Sequence, residues 1–169
     1  MRTNRLPVVK RPWFRTEPVD ETFFDAAPLR LQDTFEIPFA AEKVWADLTS
    51  ENPLWWCRVI QRITWTSPPP FGVGTTRTAR ALGGLNVINE RFFVWEEGRR
   101  QSFHAVEISV PGFQRFAEDY ALESGGEQSC RFTWTIAVEP KPAGRVTMPA
   151  NQLLLRTLFT DTRKHYGAR

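Results

Sequence analysis

The sequence predicts an α+β domain: a meandering antiparallel sheet with one long helix at its C-terminal end. Three observations predict it. Helical apolar periodicity occurs at only two places, residues 40–49 and residues 149–166. Between them the period changes to two from Val59 and holds to Glu139. The breaks in that stretch are short and rich in Gly and Pro, so neighbouring strands are joined as hairpins and pair antiparallel.

Residues 1–28 carry Pro7, Pro12, Pro18 and Pro28, with Trp13, Phe14, Phe23 and Phe24 among them. Proline at that density withholds backbone donors from helix and ladder alike. Four large rings, however, do not suit a solvated tail. An extended arm that docks its aromatics on the domain or on a neighbouring subunit is expected, with an ordinary flexible leader as the alternative and the domain itself at 29–169. The first strand, residues 29–37, sets Leu29, Leu31, Phe35 and Ile37 on one parity and stops at Pro38. Ala41, Val44, Trp45 and Leu48 then recur at i, i+3, i+4 and i+7, which is an amphipathic helix. A second short helical turn is expected over Leu54, Trp55 and Trp56. Strands follow at 59–65, 75–82, 85–95, 101–110, 113–123 and 128–139. Their turns fall at the triple proline 68–70, Gly83-Gly84, Glu96-Glu97-Gly98, Pro111-Gly112 and Gly125-Gly126. The last helix aligns Leu154, Leu155, Leu158, Phe159 and Thr162 on one stripe.

A chain of 169 residues suits one domain with a full core. Its 13 Phe and 7 Trp against 2 Tyr supply either a ring-filled core or the lining of an apolar pocket. The net charge of +3 is gathered in part at the ends, with no block of five like charges and no basic stripe interleaved with aromatics. That pattern predicts no nucleic-acid partner. No stretch approaches the ~18 apolar residues of a membrane span, and no secretory leader is expected in a start broken by charge and proline. Cys57 and Cys130, outside any CxxC spacing, read as reduced buried thiols, and a cytoplasmic location is expected. His104 and His165 are too far apart and too isolated to set a metal-ligand spacing. A phosphate loop, a nucleophile elbow and a complete dinucleotide fingerprint are all lacking, since Gly72-x-Gly74 has no third glycine. No cofactor and no metal are expected.

One resemblance adds to this. Ala40, the pair Val44-Trp45 and Trp56 within EIPFAAEKVWADLTSENPLWW, then Gly74-Thr75, Glu90-Arg91-Phe92 with Trp95 and Arg99-Arg100, and Thr133-Trp134-Thr135 occur in order. Over residues 29–166 the chain resembles the polyketide cyclase/dehydrase-like branch of the START and Bet v 1 (SRPBCC) superfamily. The resemblance implies a helix-grip fold: a curved antiparallel sheet of about seven strands around a long C-terminal helix, with a hydrophobic cavity between. It also implies that a lipid, polyketide or aromatic metabolite binds there. The Pro-rich connection from Val138 to Met148 departs from the pattern and predicts an atypical lid.

Strand parity then nominates the cavity lining. Phe132 and Trp134 share a face of the last strand, and Phe116, Glu118 and Tyr120 a face of the one before. Ile88, Glu90 and Phe92 line up in the fourth strand, joined by Phe103, Trp56, Thr76, Thr78 and Arg80, with Leu154, Leu155, Leu158 and Phe159 as the helical wall. Glu90 and Tyr120 are the candidate catalytic groups, because a desolvated carboxyl is a usable acid or base. Against this, each glutamate can simply pair with Arg77 or Arg80, and Tyr120 can be a satisfied core residue. His104 has outer-face parity, and His165 suits a helix C-terminus. Binding of a hydrophobic small molecule is the primary reading. A cyclase- or dehydratase-type enzyme and a regulatory interaction module, monomeric or homodimeric, stand beside it.

Overall fold

The computed structural model describes residues 10–169. After a two-residue strand β1 (Phe14–Arg15) and a one-turn helix α1 (Phe23–Ala26) come strand β2 (Leu29–Ile37) and helix α2 (Ala41–Leu48). Strands β3 (Ile60–Trp65), β4 (Thr76–Ala81), β5 (Asn86–Glu96), β6 (Arg100–Ile108), β7 (Phe113–Ser124) and β8 (Cys130–Pro140) follow, and helix α3 (Met148–Tyr166) closes the chain. The sheet runs β2-β8-β7-β6-β5-β4-β3 with all neighbours antiparallel, so β2 closes onto β8, the last strand. Register shifts at Asn89/Glu90 and Phe92/Val94 mark bulges that curl the sheet. This is a helix-grip.

The two ends of α3 are held differently. Its C-terminal half is bolted down: Arg163 donates to both carboxylate oxygens of Asp33 at 2.8 Å, and Trp56 Nε1 donates to Thr162 at 3.0 Å. Arg58 adds backbone and side-chain bonds to Asp161, and Phe159 packs on Phe35 and Trp134. From Met148 to Thr157 no α3 side chain bonds to the sheet among the described residues; Thr157 caps only the Leu154 carbonyl of its own turn. Leu154 and Leu155 stay half-exposed although they share the apolar stripe with buried Leu158.

The approach to α3 is tight at one point. Residues 142–147 form a 3-10 turn whose Gly144 lies against Gly112 of the β6–β7 turn. A Cβ on Gly144 would sit 2.2 Å from the Gly112 carbonyl oxygen and 2.7 Å from its Cα. Gly144→Ala is therefore expected to cost about 1–3 kcal/mol in urea unfolding. Gly72, with open space around its Cβ position, is the near-neutral control.

The arm is docked but not wholly extended, a difference from the expected extended run. Asp20 accepts from the Thr22 backbone N–H at 2.9 Å and starts the turn that becomes α1. The helix sits where Ala117 and Ala137 pair directly across β7 and β8, and these small residues leave a hollow on the outer sheet face for Phe23 and Phe24. Burial of two rings outweighs the turn's weak intrinsic propensity. Upstream, β6 pairs with β7 only as far as His104↔Ala117. Beyond that point the arm fills the widening gap, with Thr16 N–H donating to the Val106 carbonyl and Glu17 N–H to the Gln114 carbonyl.

Candidate functional site

A cavity lies between the concave face of the sheet and the N-terminal half of α3. Its inner end is buried and its rim half-exposed. Ile63, Ala79, Ile108, Phe116 and Leu158 form the deep apolar wall, while Val59, Ile60, Leu82, Asn86, Phe113, Asn151, Leu154 and Leu155 form the rim. Unfilled space amounts to about 800 Å³ counted out through the mouth, but only about 90 Å³ of it admits the centre of a water molecule. That is room for a handful of waters, so a bulky ligand needs the rim to give way. Leu54 and Leu82 both line this space, and they are the described non-glycine residues with positive φ, 58° and 54°. Such backbone costs on the order of 1–3 kcal/mol each and is concentrated at the cavity wall.

At the inner end lies a polar group of five side chains. Arg77 of β4 faces Glu90 of β5 directly in register, and its Nε donates to Glu90 Oε2 at 2.6 Å. The guanidinium carbon sits 4.1 Å from the centre of the Phe103 ring, with Phe92 and Trp65 on further sides. Glu118 of β7 accepts through one oxygen from Tyr120 Oη at 3.0 Å and from Trp134 Nε1 at 2.8 Å. Its other oxygen has no hydrogen-bond partner among the described residues. Arg77 Nη1 is buried and has no hydrogen-bond partner among the described residues. Arg77 and Tyr120 are each 1% exposed and Glu118 7%.

One guanidinium cannot balance two buried carboxylates. Burial pushes Glu90 up and Arg77 pulls it back; burial would lower Arg77, but Glu90 holds it firmly charged. The second carboxyl takes the imbalance: burial first, then the Glu90 charge, push Glu118 up to about 7. Burial, and then Glu118, lift the Tyr120 hydroxyl well above its ordinary value, so it stays a donor.

The predicted lining residues divide. Ile88, Glu90, Phe116, Glu118, Tyr120 and Trp134, with Leu154, Leu155 and Leu158, are brought together on the wall. Phe92 and Phe103 pack behind it, beneath Arg77. Phe132 and Phe159 are core residues on Phe35. Trp56 is outside the cavity, stacked at 4.3 Å on His165; burial there lowers the imidazole pKa, opposite to the helix-terminus effect that its position suggests. Thr76, Thr78 and Arg80 are corrections. Thr76 bonds Thr66 and Ser67, Thr78 bonds Asn89, and Arg80 is exposed, all on the outer face. The other parity of β4, Arg77, Ala79 and Ala81, faces the cavity. Two alanines opposite two threonines were the available signal, because small residues leave the space a cavity needs. Glu90, a catalytic candidate if unpaired, is held by Arg77. His104 lies on the outer face beside Phe93. Among the described residues no His/Cys/Asp/Glu cluster has metal-binding geometry, and no helix is long and apolar enough to cross a membrane.

The family described as "Polyketide cyclase / dehydrase and lipid transport" matches residues 28–164. The chain belongs to that family. An uncharacterized protein of Mycobacterium tuberculosis is 35% identical over 161 residues, covering 90% of this chain and 93% of its own length, and a Mycobacterium bovis protein matches equally. Among solved structures, a START superfamily protein from Mycobacterium smegmatis superposes with a TM-score of 0.64 at 14% identity, covering 82% of this chain and 97% of its own. The ZhuI aromatase/cyclase from Streptomyces sp. R1128 gives 0.60 at 12% identity, with 80% and 94% covered. Ginseng major latex-like protein 151 from Panax ginseng gives 0.57 at 16%, with 82% and 97% covered. At such identities these structures share the fold of this family member.

Proposed function

We propose that the protein binds an apolar small molecule, a lipid, polyketide or aromatic metabolite, whose oxygen acceptor meets Arg77 at the inner end of the cavity. The carrying observation is the buried, unpartnered Arg77 Nη1 at the end of a mostly apolar cavity. A buried donor without a partner costs about 1–3 kcal/mol, which a ligand carbonyl or carboxyl oxygen recovers. Apolar burial along the wall adds about 25 cal/mol per Å² before the costs of binding.

The test uses N-phenyl-1-naphthylamine, an uncharged fluorescent probe, with the full chain and Ala79→Leu. Leucine there fills the cavity from its wall, so probe affinity is expected to fall about tenfold or more with the melting temperature held or raised. Unchanged affinity overturns the proposal. Native mass spectrometry of protein purified from its own host is expected to show a co-purified mass.

One observation favours a second reading, acid–base catalysis. Glu118, pushed up to about 7, keeps one oxygen without a partner at the cavity. Turnover following a single ionisation near neutrality, lost in Glu118→Gln with probe affinity kept, establishes it. Probe affinity lost together with turnover counts against it.

A further inference from the structure

Acidic residues are distributed unevenly along this chain. None occurs between Glu51 and Glu90, nor between Glu139 and Asp161. Those two segments supply every rim residue but Phe113: Val59, Ile60 and the hairpin joining β4 to β5 on one side, and the first half of α3 on the other. The same segments hold Leu85, Val146 and Leu153 out in solvent at 78%, 87% and 70% exposure. Leu85 is next to the rim residue Asn86, and Leu153 precedes the rim residues Leu154 and Leu155.

Exposed cations neighbour these aliphatic groups along the chain, Arg62 and Arg80 on the outer face of the sheet. Arg62, Arg80, Lys141, Arg145 and Arg156 are exposed and make no ion pair among the described residues. Arg62 and Arg80 are direct cross-strand partners. Like charges so placed repel one another, and a surrounding negative surface relieves that repulsion. Arg11 adds a cation at the hairpin, donating to the Gly84 carbonyl at 2.9 Å.

We propose that the cavity rim docks on an anionic phospholipid bilayer, with Leu85 and Leu153 entering the interface and the neighbouring cations over the headgroups. The combination selects that partner. Protruding aliphatic groups bury in the headgroup–acyl boundary, and each cation near a negative leaflet adds attraction. A nucleic-acid surface calls for stacking rings, and the residues exposed at this rim are aliphatic. Docking goes beyond the cavity reading and takes from it only the rim as the entrance.

Co-sedimentation of the full chain with vesicles tests it, using phosphatidylcholine alone and phosphatidylcholine mixed with phosphatidylglycerol. Partitioning at least about tenfold stronger onto the mixed vesicles is expected, falling with added salt. The double variant Leu85→Asp, Leu153→Asp changes two exposed positions and is expected to abolish that binding while keeping the melting temperature and the uptake of N-phenyl-1-naphthylamine. Trp55→Ser, at an exposed ring packed on His165 rather than at the rim, is expected to leave it intact. Equal partitioning onto both vesicle types, no partitioning, or loss in Trp55→Ser alone overturns the proposal. Binding to polyglutamate but not to vesicles overturns it too and assigns the rim to an acidic protein. Probe uptake without vesicle binding sinks this proposal alone, and vesicle binding without probe uptake sinks the cavity reading alone.

Discussion

Arg77→Met is expected to destabilise the protein by about 3–5 kcal/mol at neutral pH, the usual cost of removing one partner from a buried ion pair. Methionine keeps an apolar stem against Phe92, Phe103 and Trp65. The loss therefore isolates the charge that remains. Glu90, 3% exposed, accepts its only side-chain hydrogen bond among the described residues from Arg77 and is left alone in an apolar wall. Its folded-state pKa then rises further above the ordinary 4.5. A raised carboxyl pKa supplies stability that is lost as pH rises, so the defect of Arg77→Met should shrink towards pH 5. The double variant Arg77→Met, Glu90→Leu removes both charges and is expected to recover most of the loss. Urea unfolding at pH 5 and pH 8 measures all three. A single variant within about 1 kcal/mol of the parent would show that the pair is not isolated from water as its burial requires.

Glu118→Gln should change how stability depends on pH more than it changes the fold, because a glutamine carbonyl still accepts from Tyr120 and Trp134. In the parent the unfolded chain releases the Glu118 proton near 4.5, whereas the folded protein holds it until about 7. Between those values the native state binds more protons, so unfolding free energy falls with rising pH. The contribution is complete below about 4.5 and gone above about 7. It amounts to roughly 3 kcal/mol, at 1.36 kcal/mol per pK unit. Glutamine has nothing to titrate. The difference between parent and variant should therefore shift by that amount from pH 4 to pH 8. Parallel profiles would refute the assignment of the near-neutral carboxyl to Glu118.

Much of this was legible in the chain. The Gly83-Gly84 turn fixes which residues face each other across β4 and β5, and counting outward from it pairs Arg77 with Glu90, as the register has it. The parity of β7 and β8 placed Phe116, Glu118, Tyr120 and Trp134 on one face, where they line the cavity. Parity names two faces without saying which is inner. In β4 both carried plausible residues, so Thr76, Thr78 and Arg80 were set inward while an arginine occupies the wall. Its burial is possible only because Glu90 neutralises it and three rings enclose it, contacts drawn from three other strands. The one-turn helix at Phe23 was hidden for a similar reason. Its stabilisation comes from a hollow made by Ala117 and Ala137, more than ninety residues downstream.

Element order, turn positions, the antiparallel meander and the closing helix follow from local periodicity and from Gly and Pro, which act over a few residues. So does the charge asymmetry of the rim, which is a property of composition. Depth is different. Glu118 titrates near neutrality and Glu90 does not stand free because two carboxylates share one guanidinium in a desolvated space. Desolvation and charge sharing depend on distances between strands that chain order leaves open, and packing alone sets them.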